Sequence, residues 1–399
     1  MSKRKTIYLF ILYFLFAICV NVVHPITVNY VTSLELDDSY FGFFVSLMSL
    51  GQVVGALVFG FLSDKIGRKW IVVIGLLGYC LAQFGFGFLN ESPIIILLFR
   101  FLAGVFIAAP ITLFVSMCLD YSNEQNKVKN LTIFSSCYIL GTSMGYEIGG
   151  ALYNYASLTI SQVFIFQIIL TILTALFVAI LLEDVYLHNK ENKCVIEEKV
   201  KVTIKPIVYI LLLPLLILTM SQILINKYLD TYIIHIGYEP SLLGHFVLIS
   251  GLFSAASNIA IIPLIKKLRN SKLAICLLVS VVLSVILPLI TFGIKTNILY
   301  LLFSTHLLYI IIKGWITPLE QNEIATYTNA NNKGKITGLR QTILSTGNVI
   351  GPLIGSAIYT KGSPTIFIVA SMIALLSLVF YIIYFVIKKK TITISKEKW

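Results

Sequence analysis

The sequence predicts an all-α polytopic membrane protein with twelve transmembrane helices in two six-helix halves. Three observations predict it. Of 399 residues, 58% are hydrophobic and only 12% charged, about half the charged share of a soluble domain. Apolar runs of about 20 residues recur from end to end, each able to cross a hydrocarbon core of roughly 30 Å as a helix. One long charged connector, "EDVYLHNKENKCVIEEKVKVTIK" at 183–205, divides those runs six and six.

The first six spans are Thr6–Asn29, Phe41–Leu62, Trp70–Leu89, Pro93–Met117, Leu131–Tyr153 and Ser157–Leu182. The second six are Pro206–Ile234, Leu242–Ile265, Leu273–Phe292, Ile298–Trp315, Thr337–Tyr359 and Thr365–Ile387. The predicted domains are therefore 1–182, a linker at 183–205, and 206–399. The opening "MSKRK" imitates a signal peptide, but the apolar run after it is too long and no small-residue cleavage site follows. It reads as the first span. Span 7 is overlong and is expected to tilt or to run past the membrane surface. The six cysteines have no metal or redox spacing and read as small apolar filler or free thiols.

Orientation follows from the basic residues. All but five of the 30 Lys and Arg fall on one side, which is called the basic side below. The exceptions are Arg100, Lys227, Lys295, Lys313 and Lys361. The opposite, acidic side carries Glu35, Asp37, Asp38, Glu91 and Glu239. Both termini are thereby expected in the cytoplasm of a bacterial plasma-membrane protein. The net charge of +12 is a topology signal. Its scatter over seven segments excludes a nucleic-acid footprint.

The halves resemble each other. "DSYFG" at 38–42 leads into span 2 and "PSLLG" at 240–244 into span 8. Span 5 has Gly141, Gly145 and Gly149 at four-residue steps, followed by Gly150, and span 11 has Gly347, Gly351 and Gly355 at the same steps. Such glycines let helices pack backbone to backbone. An internal repeat across a membrane protein marks many transporters, with substrate held near the midplane.

The turn between spans 2 and 3 reads "GFLSDKIGRKW". Positive charge on the basic side accounts for Lys65, Arg68 and Lys69, but not for Asp64 or for the glycines at both ends. Gly60 is expected to let two helices approach closely and Gly67 to permit a tight reversal. The pattern Gly60-x-x-x-Asp64-Lys65-x-Gly67-Arg68-Lys69 resembles the loop signature of the major facilitator superfamily. "RFLAG" at 100–104 is similar to that family's Arg-x-x-x-Gly element. "GTSMGYEIGG" in span 5 resembles the glycine signature of its antiporters, with Tyr146 where proline is usual. The resemblance covers essentially the whole chain. It implies two pseudo-twofold-related six-helix bundles, a cavity lined by spans 1, 4, 7 and 10, and a conformational latch at Gly60, Asp64, Gly67, Arg68 and Lys69. In such a latch Asp64 would face the start of span 11 when the cytoplasmic side is shut. The second-half counterpart, "PLIKKLRNSK" at 263–272, has lost the aspartate.

Ionisable residues inside spans are costly in hydrocarbon and so mark function. Arg100 and Glu147 each lie roughly 9 Å from the acidic-side end of their spans at 1.5 Å per residue. An ion pair between them is expected, with Glu147 exchanging a proton and Arg100 tuning it; a static structural pair is the alternative. Asn21 and His24 share a face of span 1, and His306 lies in the middle of span 10. With Arg100 and Lys227 they form the candidate substrate-binding set. Hydrogen-bonded packing would equally explain Asn21 and His24, and a local pairing with Asp230 would explain Lys227. Lys313, Glu320 and Glu323 are placed at or beyond the cytoplasmic end of span 10.

No nucleophile elbow, metal-binding His/Glu helix or phosphate-binding glycine loop is present. An enzyme is thus not expected, nor a cofactor, a metal or direct use of ATP. The sequence predicts a monomeric, proton-coupled secondary transporter exporting a small organic molecule. Export of an endogenous polar metabolite such as a metallophore is the alternative, and uptake comes third.

Overall fold

In the computed structural model the described residues are 3–37, 39–89, 91–122, 127–184, 206–268, 270–294, 297–327 and 333–397. Within them the chain is helical and carries no strand. Spans 2 to 6 are the helices Ser39–Ile66, Arg68–Phe88, Pro93–Asp120, Lys127–Asn154 and Ile160–Leu181. Spans 7, 8, 9, 11 and 12 are Pro206–His235, Pro240–Lys267, Asn270–Gly293, Lys333–Ile358 and Thr365–Glu397. Ten spans are long and apolar enough to cross a membrane by composition alone. Spans 5 and 11, the glycine-rich and more polar ones, complete the twelve. Most of the connector, residues 185–205, lies outside the described residues.

Two spans are not simple helices. Span 1 runs as Lys3–Asn21, a 3-10 turn at His24–Ile26, and a short helix Thr27–Ser33. Pro25 breaks it, because its nitrogen has no hydrogen to donate and its ring clashes with the carbonyl four residues back. Span 10 is Ile298–Leu301, a π turn at Leu302–His306, and Leu307–Ala325. It extends well past the predicted end at Trp315.

The chain divides into two compact units, 1–197 with 230–255, and 198–229 with 256–399. In the first unit, span 4 packs against spans 2 and 3, and span 1 against span 5. Its core holds Leu9, Tyr13, Phe16, Leu76, Phe114 and Phe134, with the Tyr13 and Phe134 rings stacked at 3.9 Å. The glycines of span 5 set the distance to span 1. A Cβ at Gly149 would lie 1.8 Å from the Val22 carbonyl oxygen, and one at Gly141 2.4 Å from that of Phe14. In the second unit, span 9 packs against spans 10 and 12 around Leu211, Leu277, Val281, Tyr381 and Tyr384. There Gly347, Gly351 and Gly355 face Thr219, Ile223 and Tyr228 of span 7. Large apolar side chains remain on the outer faces, such as Leu57, Leu81, Ile94 and Ile180, each more than 70% exposed. Lipid is the solvent that suits such a surface.

Candidate functional site

Glu147 projects from span 5, one residue past Tyr146, in the first compact unit. Nδ1 of His245, near the start of span 8, lies 2.8 Å from either oxygen of its carboxylate. Nε2 of the same ring lies 3.2 Å from the Tyr155 hydroxyl. Gly244 makes the approach possible: a Cβ there would lie 2.9 Å from the Tyr146 carbonyl oxygen. The backbone N–H of Ser241 donates to the Asn154 side chain at 3.0 Å, holding the same helix ends together. A carboxylate against an imidazole, opening through a phenol, is a chain of proton donors and acceptors. His245 was invisible to sequence reasoning. A lone histidine beside a loop carries no periodic signal, and its partner is 98 residues away.

Tyr146 turns the other way. Its hydroxyl donates to Asp230 of span 7 at 2.8 Å, and its ring stacks on His24 at 5.6 Å. Asn21 donates to the Ala17 carbonyl at 2.8 Å and reaches the Thr142 hydroxyl at 3.4 Å. Asn21 and His24 are therefore both brought against span 5. The departure from the proline usual at position 146 supplies the group that satisfies a buried aspartate.

The expected pairing of Arg100 with Glu147 is not made. Arg100 is buried with its guanidinium 4.6 Å from the centre of the Phe86 ring of span 3. Among the described residues its Nε has no hydrogen-bond partner. Nearby, Gln83 donates to Tyr79 at 2.9 Å and to Gln167 at 2.8 Å, while Gln167 donates to the Cys19 carbonyl. A depth counted along each helix says nothing about rotation. Span 4 turns Arg100 toward span 3, and span 5 turns Glu147 toward span 8.

In the second unit His306 ends the π turn of span 10, packed between the rings of Phe292 and Tyr309. Lys313, Glu320 and Glu323 lie inside span 10, not beyond it, because the helix continues to Ala325. The two glutamates sustain that continuation by finding cations. Arg340 of span 11 lies 3.7 Å from Glu320, and Glu323 accepts from Tyr384 and Lys388 of span 12. Lys227 lies on span 7 of the same unit.

At the turn between spans 2 and 3, Gly67 has φ +98° and is the single residue that reverses the chain. A residue with a Cβ is strained there. Gly60 does not serve close approach, since a Cβ there would meet nothing within 4 Å. The tight contact lies earlier in span 2, where Gly51 and Gly55 face the Phe101 and Val105 carbonyls of span 4. Arg68 Nη1 lies 2.5 Å from Asp120 at the end of span 4. The Lys69 N–H donates to Asp184 at 3.1 Å. The Tyr121 hydroxyl donates to the Glu183 carbonyl at 2.6 Å; burial pushes that phenol up to about 12, so it stays protonated. The Asp64 side chain lies outside the described residues.

The sequence profile of the Major Facilitator Superfamily matches residues 9–312 and 275–398. The chain belongs to the Major Facilitator Superfamily. It is accordingly a multi-pass membrane transporter and not an enzyme. Among relatives, "Multidrug resistance protein 2" of Bacillus subtilis is 21% identical over 394 residues, covering 94% of each chain. "Quinolone resistance protein NorA" of Staphylococcus aureus is 26% identical over 362 residues, covering 88% of this chain and 89% of that one. Among solved structures, a bacterial homolog of the lysosomal transporter Spinster superposes with TM-score 0.75 at 14% identity, covering 96% and 97%. A D-xylose-proton symporter superposes with TM-score 0.74 at 12% identity, covering 94% and 96%. These superpositions bear out the twelve-helix facilitator fold. Among the described residues of this facilitator no cluster of His, Cys, Asp and Glu is placed to hold a metal ion.

Proposed function

We propose that this transporter exports small organic molecules of the multidrug type across a bacterial plasma membrane, driven by protons. The observation that carries the reading is its end-to-end similarity to two proteins named for drug resistance. Both termini lie in the cytoplasm, the halves 1–182 and 206–399 alternate access, and one chain suffices. Glu147 carries the proton, with His245 as its immediate partner and Arg100 of span 4 tuning its affinity. Asn21, His24, Arg100, Lys227 and His306 contribute to substrate binding. Gly60, Asp64, Gly67, Arg68 and Lys69 form the latch turn, in which Arg68 and Lys69 anchor the loop to Asp120 and Asp184.

Export of an endogenous polar metabolite, such as a metallophore, remains the second reading. Arg100 favours it, being a buried cation with no carboxylate against it among the described residues. The test is a dye panel in inside-out vesicles with an imposed pH gradient. Accumulation should collapse with a protonophore, and Glu147→Gln should lose about tenfold or more of the gradient-driven component. Undiminished gradient-driven accumulation in Glu147→Gln would retire the glutamate as proton carrier. Accumulation indifferent to the protonophore would remove the proton altogether.

A further inference from the structure

The charges inside the helices of the second compact unit do not balance. Glu320 is met by Arg340, and Glu323 by Tyr384 and Lys388. No other carboxylate of that unit belongs to a described side chain. Lys313 is left over. Among the described residues its ammonium meets neither a carboxylate nor another hydrogen-bond acceptor.

Its position excludes the ordinary explanation. Lys313 lies roughly 22 Å along the helix axis from Ile298 and roughly 18 Å from Ala325, at 1.5 Å per residue. That is the middle third of the helix, away from the ends where a lysine stem most readily carries its ammonium to a headgroup layer. It also falls on the inward stripe of span 10. His306, Tyr309, Ile316, Glu320 and Glu323 are all buried, and Lys313 continues their three- and four-residue steps. Leu308, on the opposite face, is 52% exposed. Beside Lys313, Gly314 leaves Ser257 and Asn258 of span 8 within 3.0 and 3.4 Å of where a Cβ would be. Polar groups thus share its level.

A cation held inward at mid-span with no carboxylate against it is costly while empty, and an arriving anion removes the cost. We propose that Lys313 is a seat for a carboxylate on the transported molecule. Its ammonium offers three donors to the oxygens of such a group. The inference rests on the transporter reading above and adds the charge class of the cargo.

The test compares two dyes that share a xanthene core and differ in charge, the anion fluorescein and the cation rhodamine 6G. Binding to the detergent-purified full chain is read by fluorescence anisotropy. Fluorescein should bind about tenfold tighter or more. Lys313→Gln should erase that preference by weakening fluorescein alone, and Lys313→Arg should keep it. Lys313→Met should raise the melting temperature of the ligand-free protein by about 2 °C or more, since it removes an unpaired charge from an inward helix face. Equal or reversed dye preference, no fluorescein binding, or a preference untouched in Lys313→Gln overturns the proposal, as does a lowered melting temperature in Lys313→Met. Fluorescein binding that persists while inside-out vesicles fail to accumulate the dye would retire export and leave the anion seat standing.

Discussion

Glu147 and His245 meet at 2.8 Å, joining span 5 to the start of span 8 inside one compact unit. If the pair acts as a unit, its two members cannot be removed independently. His245→Leu should lower gradient-driven dye accumulation by about tenfold, and the double variant with Glu147→Gln should be no worse than Glu147→Gln alone. The measurement is a double-mutant cycle on initial rates in inside-out vesicles. Strictly multiplicative losses would show that the two residues serve different steps.

The two glycine positions at 149 and 60 make a matched comparison. Gly149→Ala drives a methyl group against the Val22 carbonyl. Neither backbone can yield without moving a helix, so a loss of about 1–3 kcal/mol is expected. Gly60→Ala meets open space and gains helix propensity, worth up to roughly 1 kcal/mol. Thermal unfolding in detergent should therefore shift the two variants in opposite directions. A Gly60→Ala protein less stable than the parent would restore a packing role to that residue.

Arg68 and Asp120 form a largely buried ion pair, 15% and 21% exposed, at the basic-side turn. Removing one charge leaves the other less well compensated, so Asp120→Asn should cost about 1–3 kcal/mol, less than a fully buried pair would. It should also slow transport without changing the dyes accepted. The exchange Arg68→Asp with Asp120→Arg should recover part of the rate. A shifted dye preference in Asp120→Asn would place the pair at the substrate instead of the turn.

Much of this architecture was legible in one dimension. Apolar length is counted along a single helix, so the twelve spans and the basic-side turns follow from the residues in order. The four-step glycines of span 5 were legible for the same reason: a helical period shows which residues share a face, and Gly141, Gly145 and Gly149 do face span 1. Gly60 failed because a glycine marks a permitted close approach, not an actual one. Pro25 interrupts span 1 within its apolar run, since apolar content does not register a missing backbone donor.

The sequence alone determined the solvent, the number of crossings and the sidedness of charge, because each is a sum of local transfer energies. Tertiary structure decided the partners. Counting residues predicts one depth for Glu147 and Arg100, yet span rotation sends one to His245 and the other to Phe86. Glu320 and Glu323 stay helical and buried because Arg340 and Lys388 reach them from distant segments. Lys313 has no such visitor among the described residues. Pairing in a low-dielectric interior depends on angles about helix axes, and those are set by packing against neighbours far away in the chain.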